Sequence, residues 1–247
     1  MRKFGLIGYP LSHSFSKKYF TDKFLQEGIE NSVYDLYPLK SIGELDQLIQ
    51  DNPELVGLNV TIPYKEAVFP YLDEIDPHAQ KIGAVNTIKI VDKKRIGYNS
   101  DYYGFQDSLT KFFGANPTPE KALILGTGGA SKAVKVVLED LGIDYQLVSR
   151  KSHPDCLTYT ALVESPELIS EAHLIVNTTP LGMSPNIDEL PEIAYDRLTE
   201  NHFLYDLVYN PLKTAFMQKG IEAKCWVKNG LEMLHGQAEK SWELWNK

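Results

Sequence analysis

The chain has 247 residues, 43% hydrophobic and 23% charged, with 25 Lys and Arg against 33 Asp and Glu for a formal net charge of −8. That is the balance of a folded globular protein with enough chain for one large domain or two modest ones, and its acidic excess argues against a nucleic-acid surface. No apolar run approaches the ~20 residues that span a bilayer, and the two cysteines, Cys156 and Cys225, show neither metal-ligand spacing nor a disulfide framework, so a reducing cytoplasm is the expected setting.

Phe4 to Gly8 reads as a first strand, because the apolar run is too short for a signal peptide and ends at Tyr9-Pro10. Ser12, Ser14 and Ser16 then sit where a helix starts, ahead of Tyr19, Phe20, Phe24 and Leu25. One serine suffices as an N-cap; two hydroxyls at a helix N-terminus also suit a carboxylate, and both readings stand. Ser32 to Leu39 is a second strand, and Ile42, Leu45, Leu48 and Ile49 mark a second helix. Leu55 to Thr61 is a third strand, closed by Ile62-Pro63-Tyr64-Lys65, where Pro63 suits a first helical turn. Strands alternating with helices predict a parallel sheet, with ligands beyond the carboxyl ends of its strands. Asn59, Thr61 and Lys65 fall at such an end, although a lysine there is ordinarily just solvated.

Ile82 to Ile88 reads as a strand with polar residues in its middle, turned at Asp92 to Arg95 into a return strand, Ile96 to Asn99. Asp101 opens the next helix, through Leu109, Phe112 and Phe113, and has the position of a cap. Gly114 to Pro119 has linker composition. The run Ala122 to Ala133 is next: a buried strand, the turn Gly126-Thr127-Gly128-Gly129, and an amphipathic helix from Ala130 onward. Gly126 permits a sharp turn, and Gly128 lets a phosphate approach the backbone at a helix N-terminus. The third position of this fingerprint holds Ser131 instead of Gly or Ala, and a plain strand-to-helix turn is the bland alternative. Tyr145 to Val148 ends in Ser149-Arg150-Lys151: a hydroxyl and two cations where an NAD site has an acid, as the 2′-phosphate of NADP requires. A solvated loop is the plain reading of the same residues. Leu174 to Met183 and Leu204 to Pro211 are two further strands that end in polar, proline-broken loops. Leu231, Leu234, Ala238, Ser241, Trp242 and Trp245 trace a long last helix, with the tryptophans as packing residues and Gln237 beside the seam.

Together these segments resemble the shikimate dehydrogenase family over nearly the full length. The resemblance rests on Ser12-His13-Ser14-Phe15-Ser16, Asn59-Val60-Thr61-Ile62-Pro63-Tyr64-Lys65, Gly83-Ala84-Val85-Asn86-Thr87 and Asn99-Ser100-Asp101. Farther along it rests on Gly126-Thr127-Gly128-Gly129-Ala130, Asn177 to Met183, Asp206 to Pro211 and Gly236-Gln237-Ala238. It implies an NADP-dependent enzyme that interconverts 3-dehydroshikimate and shikimate in chorismate and aromatic amino-acid biosynthesis. The implied fold is α/β in two domains with a cleft between them. Residues 1–101 plus 230–247 form a substrate domain with a mostly parallel sheet, and residues 102–229 a Rossmann-like NADP domain.

By the same resemblance, Lys65 and Asp101 are the catalytic pair and also contact substrate. Ser14 and Ser16 hold the substrate carboxylate, and Asn59, Thr61, Asn86 and Gln237 the ring hydroxyls, with Tyr209 near the substrate. Gly126, Gly128, Gly129, Ala130, Ser149, Arg150, Lys151 and Thr178 face the cofactor, with Gly230 and Met233 near the nicotinamide. The family usually has Asn-Arg-Thr at 149–151, so only Arg150 matches there, and the tract from Ser149 to Leu174 is short, which suggests a trimmed sheet edge. A small-molecule substrate and a monomer or homodimer are expected, with no nucleic-acid or membrane partner and no metal. Three alternatives remain: a quinate/shikimate enzyme of mixed NAD and NADP use, a folate-linked dehydrogenase, and an NADP-binding sensor without turnover. Ser14-x-Ser16 and Asn99-x-Asp101 argue against the second, and Lys65 with Asp101 against the third.

Overall fold

A computed structural model of the chain describes residues 1–11 and 14–247; Ser12 and His13 of the first serine motif lie outside the described residues. The chain divides into two compact units, Met1–Tyr103 with Gln237–Lys247, and Gly104–Gly236. The Gly114–Pro119 loop falls inside the second of these.

The first unit runs β1 (Arg2–Gly8), α1 (Phe15–Gln26), β2 (Ser32–Pro38), α2 (Leu45–Asp51), β3 (Leu55–Val60), α3 (Tyr64–Ala67), β4 (Glu74–Ile75), α4 (Pro77–Ile82), β5 (Thr87–Val91) and β6 (Lys94–Tyr98). α5 (Ser100–Phe113) begins here, and the end of α10 (Leu231–Asn246) returns to it. The sheet order is β2-β1-β3-β5-β6-β4. β1 pairs in parallel with β2 and β3, whereas β5 is antiparallel to both β3 and β6. The hairpin closes on Asp92 and Lys93, both with positive φ (49° and 65°).

The period of two along each strand sorts its side chains between two cores. Leu58 and Val60 of β3 and Ile88 of β5 join Leu45, Val68 and Ala79 on one face. On the other face Phe4, Phe20, Phe24, Tyr34 and Trp245 form an aromatic core against α1 and α10. Trp245 lies so close over β3 that a Cβ on Gly57 would stand 2.4 Å from its ring, and its Nε1 donates to Ile88 O at 3.0 Å. Trp242 and Trp245 are thus packing residues, as the helical spacing implies.

The predicted strand from Ile82 to Ile88 is a correction. Pro77–Ile82 is helical, started by Asp76, which accepts from His78 N and Ala79 N, and stopped by Gly83 at φ 71°. An acid-proline start and a glycine stop outweigh the apolar run between them, so extended chain begins only at Thr87.

The second unit completes α5 and continues with β7 (Lys121–Leu125), α6 (Gly129–Asp140), β8 (Asp144–Ser149), β9 (Cys156–Thr158), α7 (Tyr159–Glu164) and α8 (Glu167–Glu171). β10 (Leu174–Asn177), β11 (Phe203–Asp206), α9 (Ala215–Glu222), β12 (Trp226–Asn229) and the start of α10 follow. Its sheet, β12-β11-β10-β7-β8-β9, is parallel throughout. The order reverses between β7 and β10, which makes the carboxyl ends of those two strands the switch point. The outer edge at β9 is only three residues long. Neither β9 nor β12 has enough alternating residues to stand out in the sequence. Among the described residues no helix is long and apolar enough to cross a membrane.

The loops after β10 and β11 are tied together from below. Asn177 Nδ2 donates to Asp206 Oδ1 at 2.9 Å, Val208 N donates to the same oxygen at 3.0 Å, and Thr214 Oγ1 donates to Oδ2 at 2.5 Å. Asn177 Oδ1 in turn accepts from Thr179 N and Oγ1. Asp206 is fully buried. Burial pushes its carboxyl from 3.8 up to about 6, against the pull of those three donors. A raised folded pKa gives stability that is complete below about 3.8 and lost as pH rises through about 6. At ~1.4 kcal/mol per unit the loss is at most about 3 kcal/mol. Asp206→Asn keeps the acceptor for Asn177 and Val208 and can donate to Thr214, so it removes the titration. Denaturant melts at pH 4 and pH 7 should therefore show the variant gaining on the parent by up to that amount; an unchanged difference would assign the pH dependence elsewhere.

Candidate active site

In the first unit the polar residues gather at the carboxyl ends of β1, β3 and β6 and the amino end of the antiparallel β5. Thr61 follows β3, its N donating to Ile7 O and its O accepting from Tyr64 N, so the chain folds straight into α3. This places Lys65 on the first turn after the strand, anchored by its carbonyl, which accepts from Val85 N at 2.8 Å. Asp101 lies in the first turn of α5 behind Asn99, whose Oδ1 accepts from Tyr102 N and whose Nδ2 donates to Ala84 O. Lys65 Nζ and Asp101 Oδ2 meet at 2.8 Å, with the lysine side chain 32% and the aspartate 13% exposed. A partly sheltered pair of this kind is screened less than a surface ion pair.

Beside them Asn86 is buried. Its Oδ1 accepts from Ser100 N at 2.6 Å, Ser100 Oγ at 3.1 Å and Thr87 Oγ1 at 3.1 Å. With that oxygen saturated, Nδ2 is the part of the amide left for a ligand. Asn59 differs. Its Oδ1 accepts from Tyr34 Oη at 2.8 Å, and its Nδ2 faces Ser241 Oγ at 3.0 Å, with Thr87 Oγ1 and Asn86 O at 3.3 Å. Both ends of this amide are spent inside the fold. Ser241 Oγ also donates to Gln237 O at 2.9 Å, so the α10 turn that carries Gln237 is tied to the same hydroxyl cluster. Thr87, Ser100, Ser241 and Tyr34 are not among the site residues that the sequence points to. What marks them is only that they lie behind Asn59 and Asn86, a tertiary property. Ser14 is the N-cap of α1, accepting from Lys17 N at 3.4 Å, which leaves its own proton to give. The Ser16 hydroxyl lies near the buried Tyr34 phenol.

In the second unit a cleft of about 670 Å³ opens at the switch point. Gly126, Gly128, Ser149, Arg150, Lys151 and Thr178 all line it. Gly126 has φ 109°, and a Cβ there would meet Thr178 Oγ1 at 2.8 Å. A Cβ on Gly128 or Gly129 would instead meet nothing within 4 Å. α6 begins at Gly129 with no side chain capping it, so its first N–H groups, including that of Ala130, are not claimed by a cap. Ser131 closes the turn, with Oγ donating to Gly128 O at 2.6 Å, which is how serine fits the third position. No carboxylate lines the cleft, and among the described residues Arg150 and Lys151 form no ion pair. Such a cradle, with open space over two glycines and two unpaired cations, fits a phosphate-bearing dinucleotide. Tyr209, Gly230 and Met233 lie outside this cleft, after β11 and β12. Tyr209 is 38% exposed and Met233 buried, and a Cβ on Gly230 would strike Leu207 O at 2.1 Å.

The model of the shikimate dehydrogenase substrate binding domain matches residues 6–88. A shikimate dehydrogenase (NADP(+)) of Clostridium beijerinckii is 41% identical, the alignment covering 100% of this chain and 93% of that protein. Among solved structures, shikimate dehydrogenase 1 of Peptoclostridium difficile is 38% identical with a TM-score of 0.79, covering 100% of this chain and 92% of that one. The shikimate 5-dehydrogenase of Thermus thermophilus, solved with NADP(H) and shikimate, is 29% identical with a TM-score of 0.82, over 99% and 93% of the two chains.

The glycine geometry separates folding from binding. Gly126→Ala should lower the unfolding free energy by roughly 1–3 kcal/mol from strain and contact, read as a lower unfolding midpoint. Gly128→Ala should leave the midpoint unchanged while weakening dinucleotide binding at least tenfold in a titration, because its methyl occupies the cradle. A Gly128→Ala protein that binds as the parent does would show that the phosphates lie elsewhere.

Proposed function

Because the chain belongs to the shikimate dehydrogenase family, we propose that it catalyses the NADP-dependent, reversible reduction of 3-dehydroshikimate to shikimate. The observation that carries the catalytic assignment is the 2.8 Å pair between Lys65 Nζ and Asp101 Oδ2, set among the hydroxyl-binding groups of the first unit. Ser14 and Ser16 supply O–H donors for the substrate carboxylate, and the Asn86 amide and Thr61 hydroxyl engage the ring hydroxyls. The Gln237 side chain does the same from α10. Gly126, Gly128, Gly129, Ala130 and Thr178 hold the dinucleotide phosphates, and Arg150 with Ser149 and Lys151 the 2′-phosphate.

NADPH supplies the hydride that reaches the substrate carbonyl carbon. The protein's part is the proton. Lys65 Nζ carries it and gives it to the carbonyl oxygen as that oxygen becomes a hydroxyl, and in the oxidation direction takes it back. Asp101 Oδ2 fixes the ammonium and accepts from the substrate hydroxyl, so the reacting oxygen is held between the two groups.

Lys65→Met removes the proton carrier and keeps most of the side-chain volume. Turnover with shikimate and NADP should fall by about 10²–10⁴-fold, with the Michaelis constant for shikimate changing only a few-fold. Retained turnover would take Lys65 out of the role. The same assay run with NAD and with quinate reads the specificity: turnover confined to shikimate with NADP is expected, and equal rates with quinate or NAD would replace this reading with an enzyme of mixed specificity.

A further inference from the structure

Among the described residues, one buried side-chain oxygen or nitrogen has no hydrogen-bond partner: the Oη of Tyr159. Tyr159 opens α7, directly after the edge strand β9, and it lines the same cleft as Gly128, Arg150 and Thr178. Its place is not set by a loose loop. The ring packs on the apolar core of the second unit, and the preceding Thr158 caps α7 by accepting from Ala161 N at 3.1 Å. Burial raises the phenol above its ordinary pKa, and the Arg150 guanidinium opposes that shift, so the cation and the hydroxyl are close enough to feel each other.

A phenol sealed from water ordinarily finds an acceptor. Here the protein offers none, and no carboxylate of the chain lines the cleft. An acceptor brought by a ligand solves both problems at once if it is an oxyanion, because it also pairs with the exposed, unpaired Arg150. We propose that Tyr159 is a specificity residue, donating a hydrogen bond from Oη to the 2′-phosphate of the dinucleotide beside Arg150. The inference rests on the NADP-dependent activity proposed above. It adds a hydroxyl to a site in which the chain has Ser149 and Lys151 around Arg150, and in which Ser149 Oγ accepts from Lys151 N at 3.1 Å and keeps its own proton. The second anion-holding hydroxyl comes from the element that follows the sheet edge. NAD offers only a neutral ribose hydroxyl at this point, a weaker acceptor that leaves the guanidinium uncompensated.

The test is direct binding of NADP⁺ and NAD⁺ to the full chain by calorimetric titration, for the parent and for Tyr159→Phe, with the unfolding midpoint of each ligand-free protein. The parent should favour NADP⁺. Tyr159→Phe should lose about 10-fold in NADP⁺ affinity, keep its NAD⁺ affinity within about twofold, and unfold at the same temperature as the parent or higher, since it gives up only an unpartnered hydroxyl. A variant that keeps full NADP⁺ affinity, or loses both ligands equally, overturns the role of Tyr159 while the preference of the parent stands. A lowered ligand-free midpoint also overturns it, because the hydroxyl would then have a partner inside the protein. A parent that binds the two dinucleotides alike removes the NADP reading itself, and Tyr159 falls with it.

Discussion

The polar edge of the first unit depends on one oxygen atom, Asn86 Oδ1. Three donors converge on it, two of them from Ser100 at the start of α5 and one from Thr87 at the start of β5. An amide has one acceptor end and one donor end, so saturating the oxygen determines where the nitrogen points. The same hydroxyls continue the chain of contacts to Asn59, Ser241 and the carbonyl of Gln237. A network this deeply buried is sensitive to any member left unpaired, and a satisfied one holds its side chains in a single arrangement. The Asn86 amide nitrogen is therefore aimed by groups whose own hydrogen bonds are made inside the fold.

The second unit solves the same problem with backbone. At the switch point the strands simply end, and their terminal N–H and C=O groups must be satisfied within a few residues. Thr178 N and Oγ1 both donate to Leu125 O, and Gly126 N donates to Val148 O, so the turn after β7 is held from both neighbouring strands. Asp206 collects the donors below β10 and β11 at the cost of a buried carboxylate. With the supporting groups below the edge, the α6 N-terminus above it stays uncapped.

A residue with a structural duty can still keep a donor for a ligand. A hydroxyl that accepts from a backbone N–H still has its proton to donate. Ser14 caps α1 in this way, and Ser149 accepts from Lys151 N. The choice between a capping serine and a carboxylate-binding serine is consequently not exclusive. Asn59 shows the opposite outcome: an amide with both ends taken has nothing left over, and its value lies in what it holds in place.

The sequence by itself determined the alternation of strands and helices, the glycine turn at 126–129, the apolar faces of α6 and α10, and the residues that end strands in polar loops. These are local properties, written in periodicity and in the backbone demands of glycine and proline. It also placed Lys65 and Asp101 at element ends without any means of bringing them to 2.8 Å, since the pairing of β3 with β5 and of β5 with β6 that joins them is set by packing across the sheet. Short elements such as β4, β9 and β12 were invisible, being held by neighbours and not by their own pattern, and the α4 helix was hidden behind an apolar run. Only the tertiary structure decided which polar residues are spent and which are free. Asn59 and Asn86 are alike in sequence, and nothing local marks Thr87 and Ser241 as members of a buried polar network or Tyr159 Oη as unpartnered. Whether each has a partner depends on residues far away in the chain, and hydrogen-bond satisfaction is a property of the folded neighbourhood that no local pattern encodes.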